Sequence, residues 1–201
     1  LTVLLSFAVA LGKAKGTIDT ELAAQIHDQI QSLPGLVGRA LALFDTIRPI
    51  AHGLSQARSA LYLGRGTLYP LALEGALKLK ELSYIHAEGF ASGEMKHGPI
   101  ALIEEGLPIV ALLAADEIMA KASSILREAA ARGGQIILIT EERGVSEVDF
   151  ADAVITVPNV DPLLAPILLA VPAQILAYLT AVEKGTDVDQ PRNLAKSVTV
   201  E

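Results

Sequence analysis

The sequence predicts an α/β protein: a mainly parallel sheet covered by helices on both faces, preceded by a helical segment. Short apolar runs of strand length alternate with longer stretches of helical periodicity from about residue 57 onward. Those runs are continuous rather than alternating with polar residues, as in strands buried on both faces. The residues before 57 carry helical patterns alone.

Each element has its own signal. Leu1 to Lys15 reads as a helix ending near Gly16, with neither a cap nor a basic flank at its start. That suits a chain cut inside a helix better than a signal peptide. Asp19 or Thr20 caps a second helix, with Leu22, Ala23, Ile26 and Ile30 at helical spacing. Pro34-Gly35 is expected to break it, and a third helical stretch runs from Val37 to Ser55. Ala60 to Leu63 is a strand ended by Gly64-Arg65-Gly66, followed by a helix from about Tyr69 to Tyr84. Further strands are expected at Pro108–Ala114, Gln135–Thr140 and Ala153–Val157. Between the first two of these, Asp116 to Arg132 is helical and stops at Gly133-Gly134. A last helix covers Pro162 to Lys184. Right-handed crossovers give a three-layer α/β/α, flavodoxin-like arrangement, with ligands expected beyond the strand ends at Leu63, Ala114, Thr140 and Val157. The expected organisation is a helical segment over 1–56, the α/β unit over 57–184 and a polar tail over 185–201.

Composition narrows the function. Of 201 residues, 51% are apolar and 19% charged, enough for a large core. Aromatics are 4% and Trp is absent, so Leu, Ile, Val and Ala must build that core. The net charge is −7 and no Lys/Arg cluster forms, which argues against nucleic acid. The lack of cysteine removes disulfides, thiolate metal sites and a Cys nucleophile, and fits a cytoplasmic enzyme. Leu163 to Val182 carries no charge over a length of about 20 residues, which suffices to span a bilayer. Pro166, Pro172 and Gln174 within it, and acidic residues at its ends, favour a buried helix over a membrane span.

Candidate functional residues gather in four places. Gly64-Arg65-Gly66 between strand and helix reads either as a ligand-facing turn or as a tight connection. Glu74, Lys78 and Glu81 share one helical face, as a surface salt-bridge ladder or as a polar lining; spacing alone favours the ladder. The stretch His86 to Pro99 holds His86, Glu88, Glu94, Lys96 and His97 among glycines and reads as a functional loop. His86 is expected to bond backbone, and His97 is the better acid/base candidate. No metal site can be assembled from these spacings. The tail, with Lys196, reads either as a frayed peptide or as a segment folded back to present a nucleophilic amine.

Four segments carry a resemblance to a known family: Tyr62–Gly66, Ala72–Glu81, Gly93–Pro99 and Asp187–Glu201. They resemble the sugar-isomerase (SIS) part of the isomerising glutamine–fructose-6-phosphate aminotransferases, the glucosamine-6-phosphate synthases. The tail is the most specific piece, because related sugar-phosphate deaminases usually end differently. The resemblance implies fructose-6-phosphate as substrate, glucosamine-6-phosphate as product and ammonia drawn from glutamine. It implies Lys196 as the Schiff-base lysine, Glu81 as the carboxylate moving the proton between C1 and C2, and Lys78 as its helper at O1. It implies His97 as the ring-opening histidine, arriving from the neighbouring subunit of a homodimer, and Ala195 as a backbone contact near the ammonia entrance. Gly64, Gly66 and Glu94 are expected on the substrate side. No metal or redox cofactor is implied. Residues 1–56 would close a preceding SIS subdomain. That subdomain's phosphate-gripping loop and a glutaminase domain would lie upstream of residue 1, leaving this stretch inactive alone. The competing readings are another phosphosugar isomerase or deaminase, and a non-catalytic phosphosugar-binding module.

Overall fold

The computed structural model describes residues 1–193. Three helices come first: α1 (Thr2–Ala14), α2 (Thr20–Leu41) and α3 (Phe44–Ser55). The α/β unit follows as β1 (Ser59–Gly64), α4 (Tyr69–Ser83), β2 (His86–Ala91), β3 (Pro108–Leu112), α5 (Met119–Ala130), β4 (Gln135–Glu141), β5 (Ala153–Val157) and α6 (Ala165–Glu183). The five strands form one sheet in the order β2-β1-β3-β4-β5. Every neighbouring pair is parallel.

Two sequence expectations are corrected. His86–Ala91 is a strand, not an irregular loop; it pairs with β1 from Ser59↔His86 to Gly64↔Ala91 and forms one edge of the sheet. The second helix does not stop at Pro34. Asp19 caps it, its carboxylate accepting from the Leu22 N–H at 2.8 Å, and it continues through Pro34 to Leu41. Proline removes one helical hydrogen bond. The flanking Leu33 and Ala40 are buried in the core, with Leu36 and Val37 packed against it, so tertiary burial holds the helix together. A fully buried leucine is worth about 1.5–3 kcal/mol, enough to offset one lost bond.

Strand residues alternate between two cores. Ala60, Tyr62, Val110, Leu112, Ile137 and Ile139 face the layer of α2, α3, α4 and α6. Leu61, Leu63, Ile109, Ala111, Ile136 and Leu138 face α5 together with Met95 from the 3-10 turn Ser92–His97. Among the described residues α6 is long and apolar enough to cross a bilayer. Most of it is buried, packed against α2, α3 and α4.

Candidate active site

The geometry starts from how closely α4 lies on the sheet. At Gly75 a Cβ would stand 2.7 and 2.9 Å from ring atoms of the fully buried Tyr62, and at Gly89 on β2 it would stand 2.9 Å from Leu73 Cα. Two glycines thus let helix and strands approach at a distance that any side chain would forbid. Burial pushes the Tyr62 hydroxyl pKa up. With this face pressed inward, Glu74, Lys78 and Glu81 fall on the flank.

That flank is half-buried: the Lys78 side chain is 33% exposed and that of Glu81 27%. Lys78 Nζ donates to Glu81 Oε2 at 2.7 Å and stands 3.8 Å from Glu74 Oε1. The hydrogen bond to Glu81 raises the Lys78 pKa, burial opposes it, and the charges of Glu74 and Glu81 add to the rise. The stripe is therefore a salt-bridged ladder, but one set partly below the surface. Glu74 also borders a groove of about 330 Å³ between α4 and α6, with Thr67, Leu71, Pro166 and Gln174.

The tail returns to the end of α4 that carries Glu81. Thr186 Oγ1 donates to the Leu82 carbonyl at 2.7 Å. Asp187 Oδ1 accepts the N–H groups of Asp189 and Gln190, each at 3.0 Å, and turns the chain. The Arg192 N–H then donates to the Tyr84 hydroxyl at 2.8 Å, and its guanidinium lies 4.0 Å from the Tyr84 ring centroid. The stretch from Thr186 to Arg192 is thus docked at both ends. Ala195 and Lys196 lie outside the described residues.

His97 and Glu94 occupy the opposite side of the sheet. Their 3-10 turn packs through Met95 into the α5 core, whereas α4 packs into the other. His97 Nδ1 lies 2.8 Å from Glu94 Oε2, with side chains 71% and 66% exposed, and Lys96 pairs with Glu128 of α5 at 2.6 Å. A single chain does not bring His97 to Glu81. His86 is not bonded to backbone as expected: its Nε2 lies 3.3 Å from Glu88 Oε1, on an exposed strand start.

Gly64 serves as a tight connection. A Cβ there would run into the Leu68 carbonyl and stand 2.9 Å from Tyr69 N. Gly66 is exposed and takes a left-handed φ of 57°. The crevice beyond β1 and β3, bounded by Arg65, Leu68, Leu113, Ile118 and Met119, has about 10 Å³ of space, too little for a sugar. Beyond the carboxyl ends of β3 and β4, Ala115, Asp116, Met119, Arg143 and Glu147 line an open groove of about 320 Å³. Sequence reading also missed Glu141, which is completely buried at the end of β4. It accepts from the Ala115 N–H at 2.7 Å and from Arg143 Nη2 at 3.0 Å, and Arg143 also donates to the Val160 carbonyl at 2.8 Å. Nothing in Glu141-Glu142-Arg143 separates the buried carboxylate from its exposed neighbour. Among the described residues no three His, Asp or Glu side chains gather as metal ligands.

Known proteins match this chain end to end. It is 53% identical to the glutamine–fructose-6-phosphate aminotransferase [isomerizing] of Agrobacterium fabrum, the alignment covering 100% of this chain and 33% of that protein. The corresponding protein of Zymomonas mobilis is 52% identical over the same shares. The chain thus spans a third of the length of the relatives it matches. Among solved structures, the C-terminal domain of glucosamine-fructose-6-phosphate aminotransferase from Francisella tularensis is similar at a TM-score of 0.87 and 41% identity, covering 92% of this chain and 52% of that one. The SIS domain matches residues 53–184, a stretch that takes in all five strands together with α4, α5 and α6. The chain belongs to the SIS-domain family.

Proposed function

We propose that the chain is the second sugar-isomerase unit of a cytoplasmic, homodimeric glucosamine-6-phosphate synthase. In this reading residues 1–56 close the preceding unit, residues 57–184 form the second one, and 185–201 are a catalytic tail. The observation that carries the reading is the docking of the tail on the helix end that bears Glu81, through Thr186 on Leu82 and Arg192 on Tyr84. The names borne by the relatives support the substrate class: fructose-6-phosphate and an amino group from glutamine.

The chemistry follows from the residue types. The Lys196 amine adds to C2 of open-chain fructose-6-phosphate and, with loss of water, forms an imine that holds the linear sugar. Ammonia displaces the lysine at C2. Glu81 takes a proton from C1 and returns it to C2, converting the ketose imine into the aldose amine. Lys78 stays cationic because its partner Glu81 raises its pKa, and it stands beside the base where charge develops at O1. His97, on the far face, serves ring opening in the site of a second copy, with Glu94 orienting its Nδ1. Gly64 and Gly66 shape the turn that leads into α4, on the substrate side.

Borohydride reduction of the full-length enzyme with fructose-6-phosphate tests the reading. Label is expected on Lys196. Label on another residue, or no label with turnover intact, rejects it.

A further inference from the structure

We propose that Tyr84 is a positioning residue that steers the C-terminal tail to the Glu81 end of α4, an inference that rests on the functional reading above. Tyr84 ends α4 with φ 62° and ψ 14°, in the left-handed region. Glycine or asparagine takes that conformation at lower cost. Among the described residues only Asn193 shares such a φ without being glycine. The side chain explains what the tyrosine does there. Its hydroxyl accepts the Arg192 backbone N–H at 2.8 Å, and its ring carries the Arg192 guanidinium 4.0 Å from the centroid. One contact takes the backbone and the other the side chain, so together they fix both the place and the direction of the chain at residue 192.

The gain is a shorter leash. Among the described residues, the last anchor without this clasp is Thr186 on the Leu82 carbonyl, ten residues before Lys196; with it the anchor is Arg192, four residues before. Four residues reach at most about 14 Å, and Tyr84 stands one helical turn from Glu81. Local concentration of a tethered group falls roughly as the −3/2 power of tether length, so the shorter leash raises the concentration of the amine near Glu81 about fourfold.

The test uses the full-length enzyme with three substitutions. Tyr84→Phe keeps the ring and removes the acceptor, Arg192→Ala keeps the N–H and removes the cation, and Tyr84→Ala removes both contacts. Borohydride trapping of fructose-6-phosphate at Lys196 is expected to slow about fourfold in Tyr84→Ala and less in the other two, while equilibrium binding of glucosamine-6-phosphate holds within about twofold. Tryptic cleavage after Lys196 without sugar is expected to speed up in the same order. Arg192→Ala added to Tyr84→Ala is expected to change neither rate. Equal trapping in the parent and Tyr84→Ala overturns the proposal, as does an Arg192→Ala effect that persists undiminished without Tyr84. If Tyr84→Ala fails to fold, unchanged trapping and cleavage in both Tyr84→Phe and Arg192→Ala overturn it. An unlabelled Lys196 in the parent overturns the functional reading instead, and the cleavage order then decides the clasp.

Discussion

The Lys78 ammonium lies 2.7 Å from the Glu81 carboxylate, one turn apart on the half-buried flank of α4. The spacing of carboxylate and ammonium is thus fixed by helix geometry. Replacing Glu81 by Gln keeps the shape and removes the proton acceptor. In the full-length enzyme, glucosamine-6-phosphate formation should fall by about 10²–10⁴-fold while fructose-6-phosphate binding, followed by calorimetry, persists. Turnover near the parent rate would remove Glu81 from the mechanism.

The same ion pair has an alkaline signature. The Lys78 pKa lies above the ordinary value of 10.5, chiefly through its bond to Glu81. Its contribution to stability is therefore complete below 10.5 and lost as pH rises through the higher folded value. Urea unfolding of the parent and of Lys78→Met should differ at pH 9, and the difference should shrink above pH 10.5. A gap that stayed constant would show that the pair does not contribute through ionisation.

Gly75→Ala sets two effects against each other. Alanine gains about 0.5–1 kcal/mol in a helix interior. Its Cβ, however, would stand 2.7 Å from the buried Tyr62 ring. Overpacking of that kind costs about 1–3 kcal/mol, so the clash wins and a net loss of about 1–2 kcal/mol is expected in urea unfolding. Tyr62→Leu in the same background should recover part of it.

Glu141→Ala should cost about 2–3 kcal/mol, because the Ala115 N–H and the Arg143 guanidinium lose their acceptor while Arg143 remains only half exposed. Thermal unfolding measures this. A loss below about 0.5 kcal/mol, usual for surface positions, would mean that Arg143 and water compensate fully.

The layered architecture, three of the flanking helices and four strands were legible because long apolar periodicities leave few alternatives. β2 was not, since His86-Ala-Glu-Gly-Phe-Ala has no β-branched residue and pairs on one side only. Its glycine answers to the α4 backbone, a tertiary demand with no local trace. Helix continuation through Pro34 was hidden for the same reason: the compensation lies in the burial of Leu33 and Ala40. Of the site, the Glu74–Lys78–Glu81 row was readable from spacing. The partition of Glu81 and His97 between two faces was not, because the missed strand carries the chain from one to the other.

That partition makes genetic complementation a sensitive readout. If Glu81 of one copy works with His97 of another, a protein lacking only Glu81 and a protein lacking only His97 are each dead in every centre. Refolded together at equal amounts, about half the dimers pair one of each, and one centre in each such dimer is whole. Mixing two inactive preparations should therefore restore about a quarter of the parental activity.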